Sequence, residues 1–177
     1  MNSTLASYKT SEILSDGRNV HLRAIRPSDR EMLREQFLKL SKASVRDRFF
    51  SLKLDLTADE LTYFTEVDFN HHVALVAELE SGSEREPVAV GRLVRKSGEP
   101  DNAEIAITVA DAMQGKGIGK IMLKHLIDCA RQLGVRHMDA SVMAGNTRMM
   151  KLIRKSGLPY ISRLEDGVQT ISVNLCA

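Results

Sequence analysis

Val109-Ala110-Asp111-Ala112-Met113-Gln114-Gly115-Lys116-Gly117-Ile118-Gly119-Lys120 is the stretch on which the reading of this chain turns. Before it, Ala103 to Val109 reads as a strand. After it, Ile118, Ile121, Met122, Leu126, Cys129, Ala130 and Leu133 recur at intervals of three and four, the stripe of an amphipathic helix that Gly134 ends. Strand, glycine-rich turn and helix therefore follow one another. Glycines at 115, 117 and 119 let a ligand approach the backbone, and the first turn of the helix offers unpaired N–H groups. Such a turn suits an anion such as a pyrophosphate. One exposed helix N-terminus contributes only about 0.3–1 kcal/mol per charge, so several amides plus Lys116 and Lys120 must act together.

Two familiar phosphate sites do not fit. The P-loop pattern needs Ser or Thr after its lysine, whereas Lys120 is followed by Ile121, and the glycine spacing is one short. The dinucleotide fingerprint needs G-x-G-x-x-G at the opening of a βαβ unit, and here G-x-G-x-G follows several strands.

Gln114-x-x-Gly117-x-Gly119 does fit another pattern: it resembles the acyl-CoA pyrophosphate loop of the GNAT N-acetyltransferase superfamily. Asn146, Leu152, Lys155 and Gly157 are similar to the second half of that family's core. Farther upstream, Asp16-Gly17, Arg23-x-Ile25-Arg26-Pro27-x-Asp29, Ser44-x-x-x-Arg48-Phe49-Phe50 and Leu75-Val76-Ala77 resemble the catalytic domain of bacterial Pat-type protein lysine acetyltransferases, from about residue 16 to 160. The resemblance implies the GNAT fold, a mixed and mostly antiparallel central sheet with helices on both faces. It implies acetyl-CoA as co-substrate and a protein lysine, for example of an acyl-CoA synthetase, as acceptor. By carry-over, Ile107, Thr108 and Val109 would hold the acetyl carbonyl and pantetheine arm where a bulge opens the strand. Gln114, Gly115, Lys116, Gly117, Ile118, Gly119 and Lys120 would hold the diphosphate, and Asn146 would contact the coenzyme arm as well as capping its helix.

The chemistry sets its own demand. A lysine with a pKa near ~10.4 is neutral about once in 2,500 molecules at pH 7, a handicap of roughly 4.6 kcal/mol for attack on a thioester. Glu104 is the candidate general base. It stands on the strand that enters the turn, and period two puts it on one face with Ala106 and Thr108, opposite Ile105, Ile107 and Val109. A partly desolvated carboxylate there can take the proton directly or through a water. Pat-type enzymes carry a catalytic glutamate in a matching Ala-Glu-x-Ala segment. Many GNAT enzymes place a tyrosine after the Leu152 equivalent to protonate the leaving thiolate; this chain has Ile153, although a thiol near pKa ~8.5 leaves tolerably without help.

The rest of the chain bounds the reading. Its 177 residues suit one domain over 16–177, with 1–15 a flexible arm or weak first strand. A formal net charge of +2 argues against nucleic acid or a membrane surface as partner, and no apolar run approaches the ~20 residues of a membrane span. The first residues lack the pattern of a signal segment, and Cys129 and Cys176 make no disulfide framework. A cytoplasmic domain standing alone is expected.

Strands are expected at Val20–Ile25, Val73–Leu79, Val88–Val94, Arg136–Met143 and in a terminal hairpin, Leu158–Ser162 with Val168–Leu175. Ser81 to Glu86 and Lys96 to Asn102 read as loops. Ser28 and Thr57 open capping boxes, the first before a helix with Leu33, Phe37, Leu38 and Leu40 inward, and Asn146 caps a helix to Ser156. Arg46 and Arg48 could shape an acceptor groove, with Phe49 and Phe50 packed. Adjacent His71 and His72 point apart on a strand, and no zinc or Ser-His-Asp constellation emerges. The alternatives to lysine acetylation are a small-molecule amine acceptor on the same fold, or a CoA-binding sensor that turns nothing over.

Overall fold

In the computed structural model, residues 3–176 are described. A turn of helix, α1 (Ser3–Ala6), leads into edge strand β1 (Lys9–Ile13) and then β2 (Asn19–Ala24). Three short helices follow, α2 (Arg30–Leu38), α3 (Lys42–Phe49) and α4 (Ala58–Thr65), before β3 (His72–Ser81), β4 (Glu84–Lys96) and β5 (Glu99–Val109). The glycine turn enters α5 (Ile118–Gln132), and the chain closes with β6 (His137–Met143), α6 (Thr147–Lys155), β7 (Tyr160–Glu165) and β8 (Val168–Asn174). The eight strands form one mixed sheet in the order β1-β2-β3-β4-β5-β6-β8-β7. Every neighbouring pair is antiparallel except β5 and β6, which run parallel.

The sheet carries helices on both faces, and period two decides what each face meets. Gly91 pairs with Ile107 and Leu93 with Ile105 on the side that receives α5. That helix buries Ile118, Met122, Leu126 and Cys129 against it. Gly91 makes room: a Cβ there would lie 2.5 Å from Met122 Sδ. On the other face Arg92 pairs with Ala106, Val90 with Thr108 and Val94 with Glu104, and α2 to α4 cover part of it with a second apolar cluster around Leu33, Phe37, Val45, Leu56 and Leu61.

Several expectations need correction. Ser28 caps nothing. The chain makes a 3-10 turn over Pro27–Asp29, and the carboxylate that organises it is Asp29, which accepts from the Arg26 amide at 2.8 Å and from Arg23 Nη1 at 2.7 Å. Leu38 is 51% exposed because α2 ends on it. The Thr57 box does form, with Glu60 N donating to Thr57 Oγ1 and Thr57 N donating to Glu60 Oε2. The loops expected at 81–86 and 96–102 are mostly strand, since β3–β4 and β4–β5 turn tightly at Gly82 and Gly98 and their polar ends stay paired in solvent. Phe49 packs against Phe37, ring centroids 5.5 Å apart, whereas Phe50 ends α3 in the left-handed region at φ 57° and is 42% exposed. Residues 9–13 form β1, paired with β2, and residues 1 and 2 of the expected arm lie outside the described part.

Candidate active site

The site begins where two strands part. β5 and β6 pair over only Asn102–His137, Ala103–Met138 and Glu104–Asp139. Past Asp139, β6 continues against β8, while β5 continues against β4 as far as Val109. A wedge opens between them, and one edge of β5 from Ile105 to Val109 faces it without a partner strand. The Ala110 amide donates back to Val88 O at 2.8 Å, whereas Val109 O accepts from the Gln114 side chain at 3.1 Å. Successive backbone groups of a strand alternate in direction, so the N–H groups of Ile107 and Val109 point into the wedge and that of Thr108 toward β4. The bulge expected here is absent. β4 and β5 hold register from Arg95–Ala103 to Ala89–Val109, and departure of β6, not distortion of β5, opens the gap.

At the mouth of the wedge lies the glycine turn. Asp111–Met113 makes a 3-10 turn, Gly115 has φ 77° and Gly117, the residue before α5, has φ 93°. Only glycine takes such angles without strain. Lys120 N and Ile121 N both close on Gly117 O, at 3.0 and 3.1 Å. Among the described residues no acceptor takes the amide hydrogens of 115 to 119. Ile118 is buried, so its contribution to the mouth is its backbone, while Lys116 and Lys120 are exposed beside it.

A polar network holds this turn from behind. Asp111 accepts from Ser41 N (2.7 Å), Ser41 Oγ (3.1 Å) and Ser44 Oγ (2.6 Å) at the start of α3. Burial pushes the Asp111 carboxyl up, but the bonds from Ser44 and Ser41 outweigh it and hold the group below the usual carboxylate range. Gln114 Nε2 reaches Ser44 Oγ and Asp111 Oδ1, both at 3.2 Å, and Gln114 Oε1 accepts from Arg148 on α6. The Gln114 side chain is thus a brace between strand end, α3 and α6. Sequence inspection met Asp111 and Ser44 only inside longer motifs, gave them no role, and passed over Ser41 and Arg148, because the contacts that join them bridge 70 residues from Ser41 to Asp111 and 34 from Gln114 to Arg148.

The far wall belongs to α6. Asn146 precedes it, and its Oδ1 accepts from Met149 N at 3.1 Å, leaving the amide nitrogen for another partner. Leu152 Cδ2 lies 3.6 Å from where a Gly119 Cβ would stand, so α5 and α6 converge at the mouth. Ile153 is 1% exposed and belongs to the core.

Glu104 sits at the apex of the wedge on the α2–α4 face. The expected partial desolvation is not met: Glu104 is exposed, because β6 leaves β5 immediately after it and no strand residue covers it. Beside it a narrow cleft of about 60 Å³ runs under the helices, lined by Phe37, Phe49, Phe64, Arg92, Ala106 and Thr108 among others. The charge of Glu104 reaches Arg48, which also lines this cleft. His71 is exposed and bonded to Asp68, whereas His72 is buried against Arg92, 3.4 Å from its Nη1. Desolvation, with the positive charge of Arg92 added, pushes the His72 imidazole down to about 4, so it is neutral at ordinary pH. Among the described residues no three His, Cys, Asp or Glu side chains are placed to hold a metal ion, and no helix is long and apolar enough to cross a membrane.

Comparison with known proteins bears on this geometry. The family model of the acetyltransferase (GNAT) family matches residues 35–158. Acetyltransferase PA5475 of Pseudomonas aeruginosa is 32% identical over 160 residues, covering 90% of this chain and 86% of that protein. Acetyltransferase Pat of Mycolicibacterium smegmatis is 31% identical over 141 residues, 80% of this chain; the match spans 41% of Pat's length. Among solved structures, the GNAT domain of S. lividans PAT superposes with a TM-score of 0.84 at 31% identity, covering 94% of this chain and 96% of that one. The structure of yncA from Salmonella typhimurium with its cofactor acetyl-CoA shares the fold at 20% identity, with a TM-score of 0.70 over 88% of this chain and 94% of that one.

Proposed function

Since this chain belongs to the GNAT acetyltransferase family, and so is an acetyl-CoA-dependent N-acetyltransferase, we propose that it acetylates lysine side chains of proteins, with Glu104 as general base. The observation that carries the mechanism is the coincidence of three features at one wedge: open amides at 115 to 119, the Ile107 and Val109 N–H groups on the open edge of β5, and the Glu104 carboxylate at its apex. The mouth amides, with Lys116 and Lys120, bind the diphosphate. The pantetheine arm then lies along β5, where Ile107 to Val109 and Asn146 bond it. Gln114 acts mainly through its brace on Val109 O and Asp111.

Transfer is direct. The acceptor reaches the thioester from the α2–α4 face, Glu104 takes its ammonium proton directly or through a water, and the freed amine nitrogen attacks the acetyl carbonyl carbon. Negative charge gathers on the carbonyl oxygen, where strand N–H groups stabilise it. The nitrogen sheds its second proton to solvent as the C–S bond breaks, leaving a neutral amide, and coenzyme A departs as thiolate, which solvent protonates. An exposed Glu104 suits this role in the free enzyme, since both substrates must displace water from around it before the site becomes dry.

The preference for a protein acceptor rests on likeness to Pat and to the S. lividans PAT domain. We assign the activity to one domain over 16–177, and a reducing, cytoplasmic setting accords with Cys129 and Cys176, which are both free thiols. The test is release of coenzyme A thiol from acetyl-CoA with acyl-CoA synthetases and, in parallel, with a panel of small amines, followed by mass spectrometry of the protein acceptor. Turnover that needs the protein and marks a lysine supports the reading. Turnover with small amines alone refutes the protein acceptor, and binding of acetyl-CoA without any turnover refutes the enzyme.

A further inference from the structure

Two arginines inside the cleft have no carboxylate in ion-pair contact among the described residues. Arg92 on β4 is 6% exposed; one of its nitrogens donates to Phe64 O at 2.7 Å, and its guanidinium lies 4.4 Å from the centroid of the Phe64 ring. Arg48 on α3 lies 5.0 Å from the centroid of the Phe49 ring and makes no hydrogen bond or ion pair among the described residues. Both line the cleft beside Ala106 and Thr108. Arg23, on β2 and on the same face of the sheet, is treated differently: it is clamped between Asp29 at 2.7 Å and Glu78 at 2.6 Å.

Two like charges, Arg92 buried and Arg48 half-buried, with aromatic faces but no anion are costly. Cation–π contact offsets part of that cost without neutralising either group. Burial, and then the charge of Arg48, push the Arg92 guanidinium down to about 9. The carboxylate whose field reaches Arg48 is Glu104, and it is not in ion-pair contact. Apolar walls, the free fork of Arg48, the donors of Arg92 left over by Phe64 O and His72 and a volume of about 60 Å³ describe a seat for one small anionic group on a short apolar stem. Guanidinium matches carboxylate geometry in particular, because two parallel N–H donors can meet two oxygens.

We propose that this cleft is a carboxylate subsite, in which Arg48 and Arg92 hold an acid group carried by the acceptor so that its amine is delivered to Glu104. The inference rests on the reading above that the acceptor enters from the α2–α4 face. The acid comes either from an Asp or Glu side chain next to the acceptor lysine of a protein, or from the carboxylate of a small amino acid. It names a specificity element for acceptors, separate from the diphosphate mouth.

The test has a binding arm and a turnover arm. Thermal denaturation is followed with butyrate or butyramide at constant ionic strength, for the unmodified protein and for Arg48→Gln. A rise in Tm with butyrate alone, lost in Arg48→Gln, is expected; equal effects of the two probes overturn the proposal, whatever the enzyme does with acceptors. For turnover, two acceptor pairs are compared: lysine peptides differing only by Glu or Gln beside the lysine, and β-alanine against its amide. The acid member of at least one pair is expected to be preferred by roughly 10- to 100-fold in kcat/KM, and Arg48→Gln to bring that ratio near one. Preference in the peptide pair assigns the acid to a protein side chain, preference in the small pair to a free amino acid. Turnover of the lysine peptides with no preference for the acid member of either pair, or with a preference that survives Arg48→Gln, overturns the subsite while leaving lysine acetylation standing. Should butyrate bind and no acceptor be turned over, the subsite stands and lysine acetylation falls.

Discussion

Glu104 and Asp139 stand opposite each other in the last pair made by β5 and β6 before those strands part. The proposed base therefore sits at the apex of the wedge, and its distance from the coenzyme mouth is set by where that pairing stops. Asp139 fixes the point. It accepts from Lys96 and, at 3.2 Å, from Asn102, with its side chain only 13% exposed. Burial pushes the Asp139 carboxyl up, but Lys96, Ser172 and Asn102 together outweigh that and hold it below the usual range. A carboxyl lowered in the folded state contributes stability above its unfolded value, near ~3.9, and loses it as pH falls through the folded value. Asp139→Asn is expected to cost about 1–3 kcal/mol at pH 7, with the deficit shrinking as pH falls below about 4. Urea denaturation at a series of pH values measures both. A deficit independent of pH would show that the charge of Asp139 is not what matters.

Gly91 carries the contact between β4 and α5. A Cβ there would lie 2.5 and 2.6 Å from Met122 Sδ and Cγ, and 3.0 Å from Leu126 Cδ1, inside a fully buried layer with no room to yield. Gly91→Ala is expected to destabilise by about 1–3 kcal/mol. Met122→Ala costs about 2–5 kcal/mol alone. Because the second change removes the atoms that the first one meets, the double variant should be less destabilised than the sum. A double-mutant cycle in urea checks this, and strict additivity would place the strain elsewhere.

The glycines of the mouth divide into two kinds. Gly117 has φ 93°, so Gly117→Ala forces a side chain into the left-handed region at roughly 1–2 kcal/mol. Gly119 lies in the first turn of α5, where a Cβ would meet Leu152 at an ordinary 3.6 Å. Gly119→Ala should therefore leave stability unchanged or raise it by up to about 1 kcal/mol, yet weaken acetyl-CoA binding by crowding the amides. Thermal denaturation and calorimetric titration, run together, separate the two effects. A Gly119→Ala variant with unaltered affinity would mean that the diphosphate does not approach that amide.

Much of this was legible in the sequence where one short segment carries its own pattern. Ile118, Met122, Leu126 and Cys129 announce α5, and the glycines before it announce the turn. Pairing distances are another matter. α3 escaped notice because only Val45 of its eight residues is buried, so no apolar stripe marks it; its cap, Ser41, has meaning only beside Asp111. The hairpin ends Glu84–Glu86 and Glu99–Asp101 read as loop because exposed strand tips are as polar as loops. Glu104 could be chosen from its alternation with Ile105 and Ile107, but its exposure depends on β6 turning away, a fact of topology. The unpaired state of Arg48 and Arg92 is likewise a property of what surrounds them, which no local pattern encodes.

The central claim is that the mouth binds acetyl-CoA while Glu104 performs a separate proton transfer. Its most direct test is Glu104→Gln, near isosteric and unable to accept the proton, assayed for acetyl transfer and, by calorimetry, for acetyl-CoA affinity. The account predicts a fall in kcat of about 10²- to 10⁴-fold with Kd for acetyl-CoA essentially unmoved. Turnover at the unmodified rate, or loss of activity that merely follows loss of acetyl-CoA binding, would contradict it.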